Sequence, residues 1–267
     1  MTKSVHAQAD KIIIQITDSH LMDQPEASFV KINPEMSFHA VIKDIVTRFP
    51  HIDAIVHTGD VAQVATSATY ARYQAYMQSL GIPFYQVPGN HDDVNCFPFA
   101  APDPMPAVLD FSPWRIILLN STVQGRIDGW ISSEQLQLLD QQLTQCPEQP
   151  VLLACHHHPL EMQSHWIDQH KLKNTPQFTE VLAKHQQVKA VICGHVHQDS
   201  LNLWQHIQFL STPATSVQFK PKSHDFALDA QAPGYRCLYL KANGEFTTEV
   251  HRLNNFEQHI NNDISGY

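Results

Sequence analysis

The segment KIIIQITDSH, residues 11–20, decides the fold because a short apolar run ends abruptly in polar residues. The run KIIIQIT is rich in β-branched side chains, a composition typical of a buried strand. Asp18, Ser19 and His20 follow at once. In α/β proteins ligands bind beyond the carboxyl ends of the strands, so this segment predicts a binding site at the end of a sheet strand.

Four more predicted strands end in the same way. AIVHT is followed by Gly59-Asp60, FYQVP by Gly89-Asn90-His91-Asp92, VLLAC by His156-His157-His158, and AVIC by Gly194-His195-Val196-His197. Because such strand ends meet at one edge of a sheet, we expect these loops to converge. The glycines fit tight turns that bring the backbone close to a bound group.

The order of elements predicts an α/β fold, because short β-branched runs alternate with longer amphipathic ones. The predicted strands are Lys11–Thr17, Ala54–His57, Phe84–Val87, Trp114–Asn120, Val151–Cys155, Ala190–Cys193 and Ile207–Leu210, followed by a hairpin of Tyr235–Leu240 and Glu245–His251 around Asn243-Gly244. The predicted helices are Met36–Phe49, Ser67–Leu80, Ser132–Gln145 and Pro176–His185.

Local signals support some of these boundaries. Ser132 and Gln135 have capping-box spacing, and Thr175-Pro176 predicts a cap followed by proline in the first turn. Four prolines between Phe97 and Pro106 predict an irregular excursion. The chain is expected to end in a polar tail.

The bulk composition is that of a globular protein. With 267 residues, 43% of them apolar and 16% charged, the chain is expected to form one domain over residues 1–267. Its catalytic motifs lie in 18–197 and its C-terminal strands and tail in 207–267. A net charge of −9 argues against nucleic-acid and membrane partners, which attract basic surfaces.

Cysteine usage and the N-terminus favour a cytoplasmic protein. The five cysteines are widely spaced and lack a CxxC pair, so we expect free thiols. MTKSVHAQADK contains no apolar core of signal-peptide length, and no run is long enough to span a bilayer. Composition does not determine the oligomeric state, and we favour a monomer.

Aspartate and histidine at these strand ends suit divalent metal ions. Carboxylate oxygen and imidazole nitrogen ligate Mn, Fe and Zn, and Asp60 can bridge two cations. Two cations about 4 Å apart lower the pKa of a shared water and neutralise charge in a phosphoryl displacement. Each motif alone has a structural explanation, such as a helix cap for DxH or a common turn for GD. Their joint occurrence favours a metal site.

Together, the motifs DxH, GD, GNHD, the three consecutive histidines and GHxH resemble the calcineurin-like metallophosphoesterase family from Asp18 to His197. The resemblance implies an αββα sandwich of four layers, in which two mixed β-sheets are flanked by helices. It implies two divalent metal ions, with Fe or Mn favoured over Zn, Co or Mg. The implied ligands are Asp18, His20, Asp60 and His197 for one metal, and Asp60, Asn90, His195 and His156 for the other. His157 is the alternative to His156, since the register of HHHP can shift by one residue.

The same resemblance implies roles in catalysis. Asp60, Asn90 and His91 correspond to catalytic residues, and His91 is expected to contact the phosphate and protonate the leaving oxygen. His20, Asp60, Asn90, His91 and His197 are expected to border the substrate. The loop after Gly59-Asp60 reads VAQV and lacks the GDxxDRG pattern of the protein phosphatases in this family. This departure argues against a phosphoprotein substrate.

A closer resemblance covers nearly the whole chain. The segments QITDSHL, TGDVAQ, HHHPL, SHWIDQHKLKN, VLAKHQQVKAVICGHVHQ, TPATSVQFKP and APGYRCLYLKANGEFTTEVHRL are similar to bacterial class III cyclic AMP phosphodiesterases of the CpdA type. This implies hydrolysis of 3′,5′-cyclic AMP to 5′-AMP. The alternatives are another diester, such as a glycerophosphodiester or a second cyclic nucleotide, and a binding scaffold that uses the fold without catalysis. Two segments are candidate walls of a purine pocket, residues 211–219 and residues 164–174, in which Trp166 can stack on a base.

Overall fold

The structure is a computed structural model that describes residues 9–97, 106–254 and 256. In chain order its elements are β1 (Lys11–Ile16), α1 (Pro34–Arg48), β2 (Ala54–His57), α2 (Ser67–Ser79), β3 (Phe84–Gln86), β4 (Ala107–Phe111), β5 (Trp114–Leu118), α3 (Ser133–Gln145), β6 (Val151–Ala154), α4 (His165–Asp168), α5 (Thr175–Leu182), β7 (Val188–Cys193), β8 (Ser200–Trp204), β9 (Ile207–Ser211), β10 (Gln218–Phe219), β11 (Leu228–Asp229), β12 (Gly234–Leu240) and β13 (Phe246–Arg252).

The strands form two large mixed sheets and one small ribbon. The first sheet has the order β13-β12-β1-β2-β3, and the second has the order β4-β5-β6-β7-β9-β8. Within the first sheet β1, β2 and β3 are parallel, β12 is antiparallel to β1, and β13 is antiparallel to β12. In the second sheet β5, β6, β7 and β9 are parallel, and the edge strands β4 and β8 are antiparallel to their neighbours. The strands β10 and β11 pair only with each other.

Three apolar clusters produce the four layers. The central cluster joins the two sheets face to face, with Ile13 and Val56 from the first and Leu152 and Ile192 from the second. A second cluster packs α1 and α2 on the outer face of the first sheet, and a third packs α3 and α5 on the outer face of the second. The predicted αββα sandwich is therefore confirmed.

Side-chain caps fix the starts of three long helices. The side chains of Asn33, Thr66 and Ser132 accept hydrogen bonds from backbone N–H groups three residues later. These bonds satisfy N–H groups that have no partner within the helix. The predicted cap at Ser132 is confirmed.

The predicted cap at Thr175 is wrong. Thr175 lies inside α5, and its hydroxyl donates to the carbonyls of Pro159 and Leu172. Asn174 is the residue before the helix, but its side chain makes no cap because it bonds both backbone groups of Ile131. Those tertiary contacts fix the start of the helix.

The sequence missed the four strands β4, β8, β10 and β11 and the short helix α4. On the edge strand β8, Leu201 and Leu203 are 60% and 66% exposed, so these apolar side chains face solvent instead of a core. The predicted C-terminal hairpin is confirmed as β12 and β13. The expected irregular excursion at 97–106 and the expected polar tail fall almost entirely outside the described residues.

Two further expectations concern thiols and membranes. All five cysteines are unpaired, as expected. Within the described ranges, no helix has the length and apolarity required to cross a bilayer.

Candidate metal centre

The loops after β1, β2, β3, β6 and β7 meet at one edge of the sandwich. Backbone hydrogen bonds of 3.0 Å join Asp18 N to Gly59 O and His20 N to Asp60 O, which ties the first two loops together. A bond of 3.1 Å from Gly194 N to His156 O ties two loops of the second sheet. The convergence predicted from the sequence is therefore observed.

Asp18, His20 and His197 form one group of potential metal ligands. The Nε2 atoms of His20 and His197 lie 3.2 Å apart, and His197 Nε2 lies 3.3 Å from Asp18 Oδ1. The other imidazole nitrogens are used elsewhere: Nδ1 of His20 contacts Gln63 Oε1, and Nδ1 of His197 contacts the carbonyl of Val217. Such contacts orient an imidazole so that its Nε2 can face a cation.

Asp60 lies between this group and a second one. Its Oδ2 is 3.7 Å from His20 Nε2 and 3.3 Å from His156 Nε2. His156 Nε2 is also 3.1 Å from Asn90 Oδ1. Asp60 thus has the central position expected of a carboxylate that bridges two cations.

Several polar atoms at this edge are buried without a hydrogen-bond partner. They are Oδ2 of Asp60 and both ring nitrogens of His195, as judged over the described part of the chain. Burying a polar atom without a partner costs about 1–3 kcal/mol. The ligand atoms in each of four Asp and His groups here lie within 4.8 Å of one another. The donor set therefore fits two divalent cations.

The three consecutive histidines differ in what their nitrogens contact. His156 directs Nδ1 to the carbonyl of Thr58 and Nε2 toward Asp60. His157 directs Nδ1 to Ser121 Oγ at 2.8 Å and Nε2 to the carbonyl of Ile127 at 3.0 Å. Both ring nitrogens of His157 thus already have hydrogen-bond partners in the protein. This geometry favours His156 over His157 as a ligand.

Charge and burial determine the protonation of the centre. Burial by itself raises the pKa of Asp60, but His156 and other nearby histidines outweigh it and hold that pKa well below the usual range. Burial disfavours the charged form of His156, but the Asp60 carboxylate outweighs burial and raises the pKa of His156 to about 9. Binding of a cation at His156 Nε2 requires that this proton leave.

The backbone is strained at the same residues. Asp18, His20, Asp60, His195 and His197 have φ between 48° and 68°, in the left-handed region. This conformation costs on the order of 1 kcal/mol for a residue with a side chain. Five of the seven predicted ligands have this conformation, so the surrounding structure holds them there against local preference.

Two glycines are required by the close approach of neighbouring loops. A Cβ on Gly89 would lie 2.1 Å from Asp60 Oδ1, and a Cβ on Gly194 would lie 2.0 Å from Thr17 Oγ1. Real Cβ contacts are not this short. Both loops can therefore reach the centre only with glycine at these positions.

Asp92 is a buried residue of the site to which the sequence assigned no role. Its carboxylate accepts hydrogen bonds from the backbone N–H groups of Val61, Ala62 and Gly89 and from the hydroxyl of Tyr70. It thereby joins the loop carrying Asp60 to the loop carrying Asn90 and His91. Its position in the GNHD motif is the sequence feature that could have indicated a place for Asp92 at the site.

His91 and the candidate purine walls lie around a cavity of about 330 Å³. Asn90, His91 and His195 line one side, and Trp166 and Ile127 line others. Residues 211–219 are buried and do not line this cavity, although Gln218 and Phe219 border another one. Of the two candidate segments, residues 164–174 therefore contribute to the wall next to His91, through Trp166, Ile167, Gln169 and His170.

The family model of calcineurin-like phosphoesterases matches residues 12–199. The chain belongs to this family. Members of the calcineurin-like phosphoesterases use a dimetal centre, which agrees with the Asp and His groups described above.

Relatives with the same family membership cover nearly the whole chain. A 3′,5′-cyclic adenosine monophosphate phosphodiesterase CpdA from Vibrio vulnificus is 40% identical, covering 90% of this chain and 89% of that protein. Its namesake from Escherichia coli K12 is also 40% identical, covering 95% and 94%. A dimetal phosphatase from Danio rerio has the same fold, with a TM-score of 0.58 and 17% identity over 89% of this chain and 98% of that one. This calcineurin-like phosphoesterase is thus similar to cyclic AMP phosphodiesterases well beyond the metal motifs.

Proposed function

We propose that the chain hydrolyses 3′,5′-cyclic AMP to 5′-AMP at a two-metal centre. The substrate rests on relatives named as cyclic AMP phosphodiesterases, which are 40% identical over at least 90% of the chain. The two-metal chemistry rests on the family and on the buried Oδ2 of Asp60, which lies between His20 and His156 at ion-pair distances and makes no hydrogen bond within the described ranges. The position of that oxygen is the structural observation that carries the two-metal part of the proposal.

One cation is assigned to Asp18, His20, Asp60 and His197, and the other to Asp60, Asn90, His156 and His195. The second set includes His156 because its Nε2 lies within 3.3 Å of both Asp60 Oδ2 and Asn90 Oδ1. Fe and Mn are the proposed metals, because mixed carboxylate and imidazole ligation suits both. A pair of such cations would supply charge neutralisation at the phosphate and a water of lowered pKa.

The protein residues then orient the cyclic diester and move one proton. A water molecule loses one proton to solvent as its oxygen bonds to phosphorus opposite O3′, the P–O3′ bond breaks, and O3′ takes up one proton. His91 lines the cavity beside Asn90 and its backbone N–H donates to Asp60 Oδ1, which fixes its position at the centre. We assign proton donation to the His91 imidazole, because this residue lines the cavity beside Asn90 and an imidazole N–H can act as a general acid. Asn90 can donate from its amide to a phosphoryl oxygen.

We also propose that residues 1–267 act as one catalytic domain and that the protein works as a cytoplasmic monomer. The shared core between the two sheets supports a single unit, because neither sheet could bury its inner face alone. Light scattering of the metal-loaded protein at assay concentration tests the monomer. A mass of twice the chain would contradict it.

Product analysis tests the proposed function directly. Purified protein loaded with Mn²⁺ or Fe²⁺ is incubated with 3′,5′-cyclic AMP, 2′,3′-cyclic AMP and a generic aryl diester, with Asp60→Ala as the control. We expect conversion of 3′,5′-cyclic AMP to 5′-AMP, and loss of this activity in Asp60→Ala. Cleavage of the aryl diester alone would support a phosphodiesterase with another substrate.

A further inference from the structure

The cavity next to His91 is of a size and character that suit a nucleobase. It encloses about 330 Å³, within the usual range for small-molecule sites. The sides formed by Trp166, Ile127 and Phe226 are apolar or aromatic, and Asn90 and His91 lie at the side that faces the metal loops. A phosphate held at that side would place an attached nucleoside against the aromatic side chains.

The aromatic wall is packed onto the metal centre itself. The ring of Phe219 stacks on His197 with centroids 3.9 Å apart. The indole of Trp166 meets both Phe219 and Phe226 edge-on, each at 5.0 Å. The Nε1 atom of Trp166 is buried and has no hydrogen-bond partner within the described ranges.

A second contact holds the segment that carries Trp166. Asp168 accepts a hydrogen bond from Met162 N at 2.8 Å on Oδ1 and from Ser164 N at 3.1 Å on Oδ2. His158 Nε2 lies 3.3 Å from the same Oδ1, and because a carboxylate only accepts, the imidazole donates. The turn before α4 is thus anchored to His158, whose ring stacks on His195 with centroids 5.6 Å apart.

We propose that this cavity is the base-binding subsite, in which Trp166 stacks on the base, and that His158 and Asp168 are positioning residues for Trp166. The proposal rests on the proposed function, because it concerns the same substrate. It assigns the third consecutive histidine a role apart from the metals: His158 belongs to none of the described groups whose ligand atoms lie within 4.8 Å of one another. Metal binding and base recognition are then connected through His195 and His158.

The test compares two substrates that differ only in the base. One is 3′,5′-cyclic AMP, and the other is 1-deoxyribose 3′,5′-cyclic phosphate, which has the same cyclic diester and no base. The measured quantity is kcat/KM for cyclic AMP divided by kcat/KM for the compound without a base, both determined on metal-loaded protein. Stacking of a base on an aromatic residue corresponds to about 5- to 150-fold in affinity. We expect Trp166→Leu, which retains apolar bulk in the packed wall, to lower the ratio by a factor in this range.

Matched variants separate stacking from a general effect on the fold. Trp166→Tyr retains an aromatic ring and should keep most of the ratio. His165→Ala changes the exposed neighbour on the same short helix, outside the cavity lining, and should leave the ratio unaltered. His158→Ala should lower the ratio mainly through KM for cyclic AMP, and His158→Gln should restore part of it because its amide can donate to Asp168.

Each outcome has a distinct meaning. An unchanged ratio in Trp166→Leu, with active wild-type protein, would overturn the base subsite and leave the proposed function intact. Hydrolysis of neither substrate by the wild-type protein would overturn the proposed function instead. Metal content by plasma mass spectrometry should stay at two ions per chain in His158→Ala. Loss of an ion there would overturn the positioning role of His158.

Discussion

Substitution of Gly89 by alanine is the sharpest test of the loop packing around Asp60. An alanine Cβ at this position would lie 2.1 Å from Asp60 Oδ1, 2.3 Å from Asp60 N and 2.7 Å from Asp60 Cγ. Ordinary contacts begin near 3.4 Å, so the Asp60 carboxylate or the Gly89 loop must retreat by roughly 1 Å. The clash includes backbone, so a side-chain rotation alone cannot relieve it.

The expected effect on catalysis is large because metal ligands tolerate displacements of only about 0.2 Å. A shift of roughly 1 Å in a catalytic group can lower the rate by about 10²-fold. We expect Gly89→Ala to lose at least one of two metal ions and to reduce kcat/KM for cyclic AMP by about 10²-fold or more. Overpacking should also lower the free energy of unfolding by about 1–3 kcal/mol.

Gly129→Ala is a matched control, because its Cβ would lie 2.4 Å from His157 Cγ instead of near Asp60. It should destabilise the protein to a similar extent but retain both metal ions, since both nitrogens of His157 contact protein atoms. Metal content, urea unfolding and initial rates are measured on both variants. Full metal content and activity in Gly89→Ala would refute the reasoning, and loss of metal only in Gly129→Ala would make His157 the ligand.

Three further predictions concern protonation and metal removal. His91→Ala should lower kcat by about 10²- to 10⁴-fold if His91 donates the proton to O3′, and an unaltered kcat in steady-state assays would limit it to a structural role. At Asp44, partial burial alone raises the pKa, but hydrogen bonds from Arg48 and Tyr235 outweigh it and lower the pKa, so the charged form stabilises the fold. This stabilisation is present above the unfolded pKa near 3.9 and is lost as pH falls through the lower folded pKa. In urea titrations Asp44→Asn should therefore be less stable than wild type by about 0.2–1 kcal/mol at pH 7, and the difference should disappear once the pH lies below the folded pKa of Asp44. Removal of metal with a chelator should lower Tm, and adding Mn²⁺ at about 100 times its Kd should raise the free energy of unfolding by about 2.7 kcal/mol. A Tm that changes neither on chelation nor on addition of Mn²⁺ would contradict the metal site.

The sequence predicted most of the sheet core because buried parallel strands are continuous β-branched runs. Ala54–His57 matches β2, and the predicted strand Lys11–Thr17 exceeds β1 by one residue. It missed β8, since Leu201 and Leu203 on that edge strand face solvent and give no inward pattern. The cap at Thr175 was wrong because tertiary hydrogen bonds, absent from any local rule, engage its hydroxyl.

By itself the sequence determined the fold class, the family resemblance and the candidate ligands. The seven candidate ligands lie in the loops that follow five strands, so the chemistry is visible in short local motifs. Only the tertiary structure shows that Nε2 of His156 faces Asp60 while Nδ1 of His157 contacts Ser121, because adjacent histidines differ in what lies opposite each ring and not in their motif. It alone brought Trp166 and Phe226 together across sixty residues of chain and joined Asp92 to the Asp60 loop. Such contacts depend on how the two sheets and their loops pack, which no local pattern encodes.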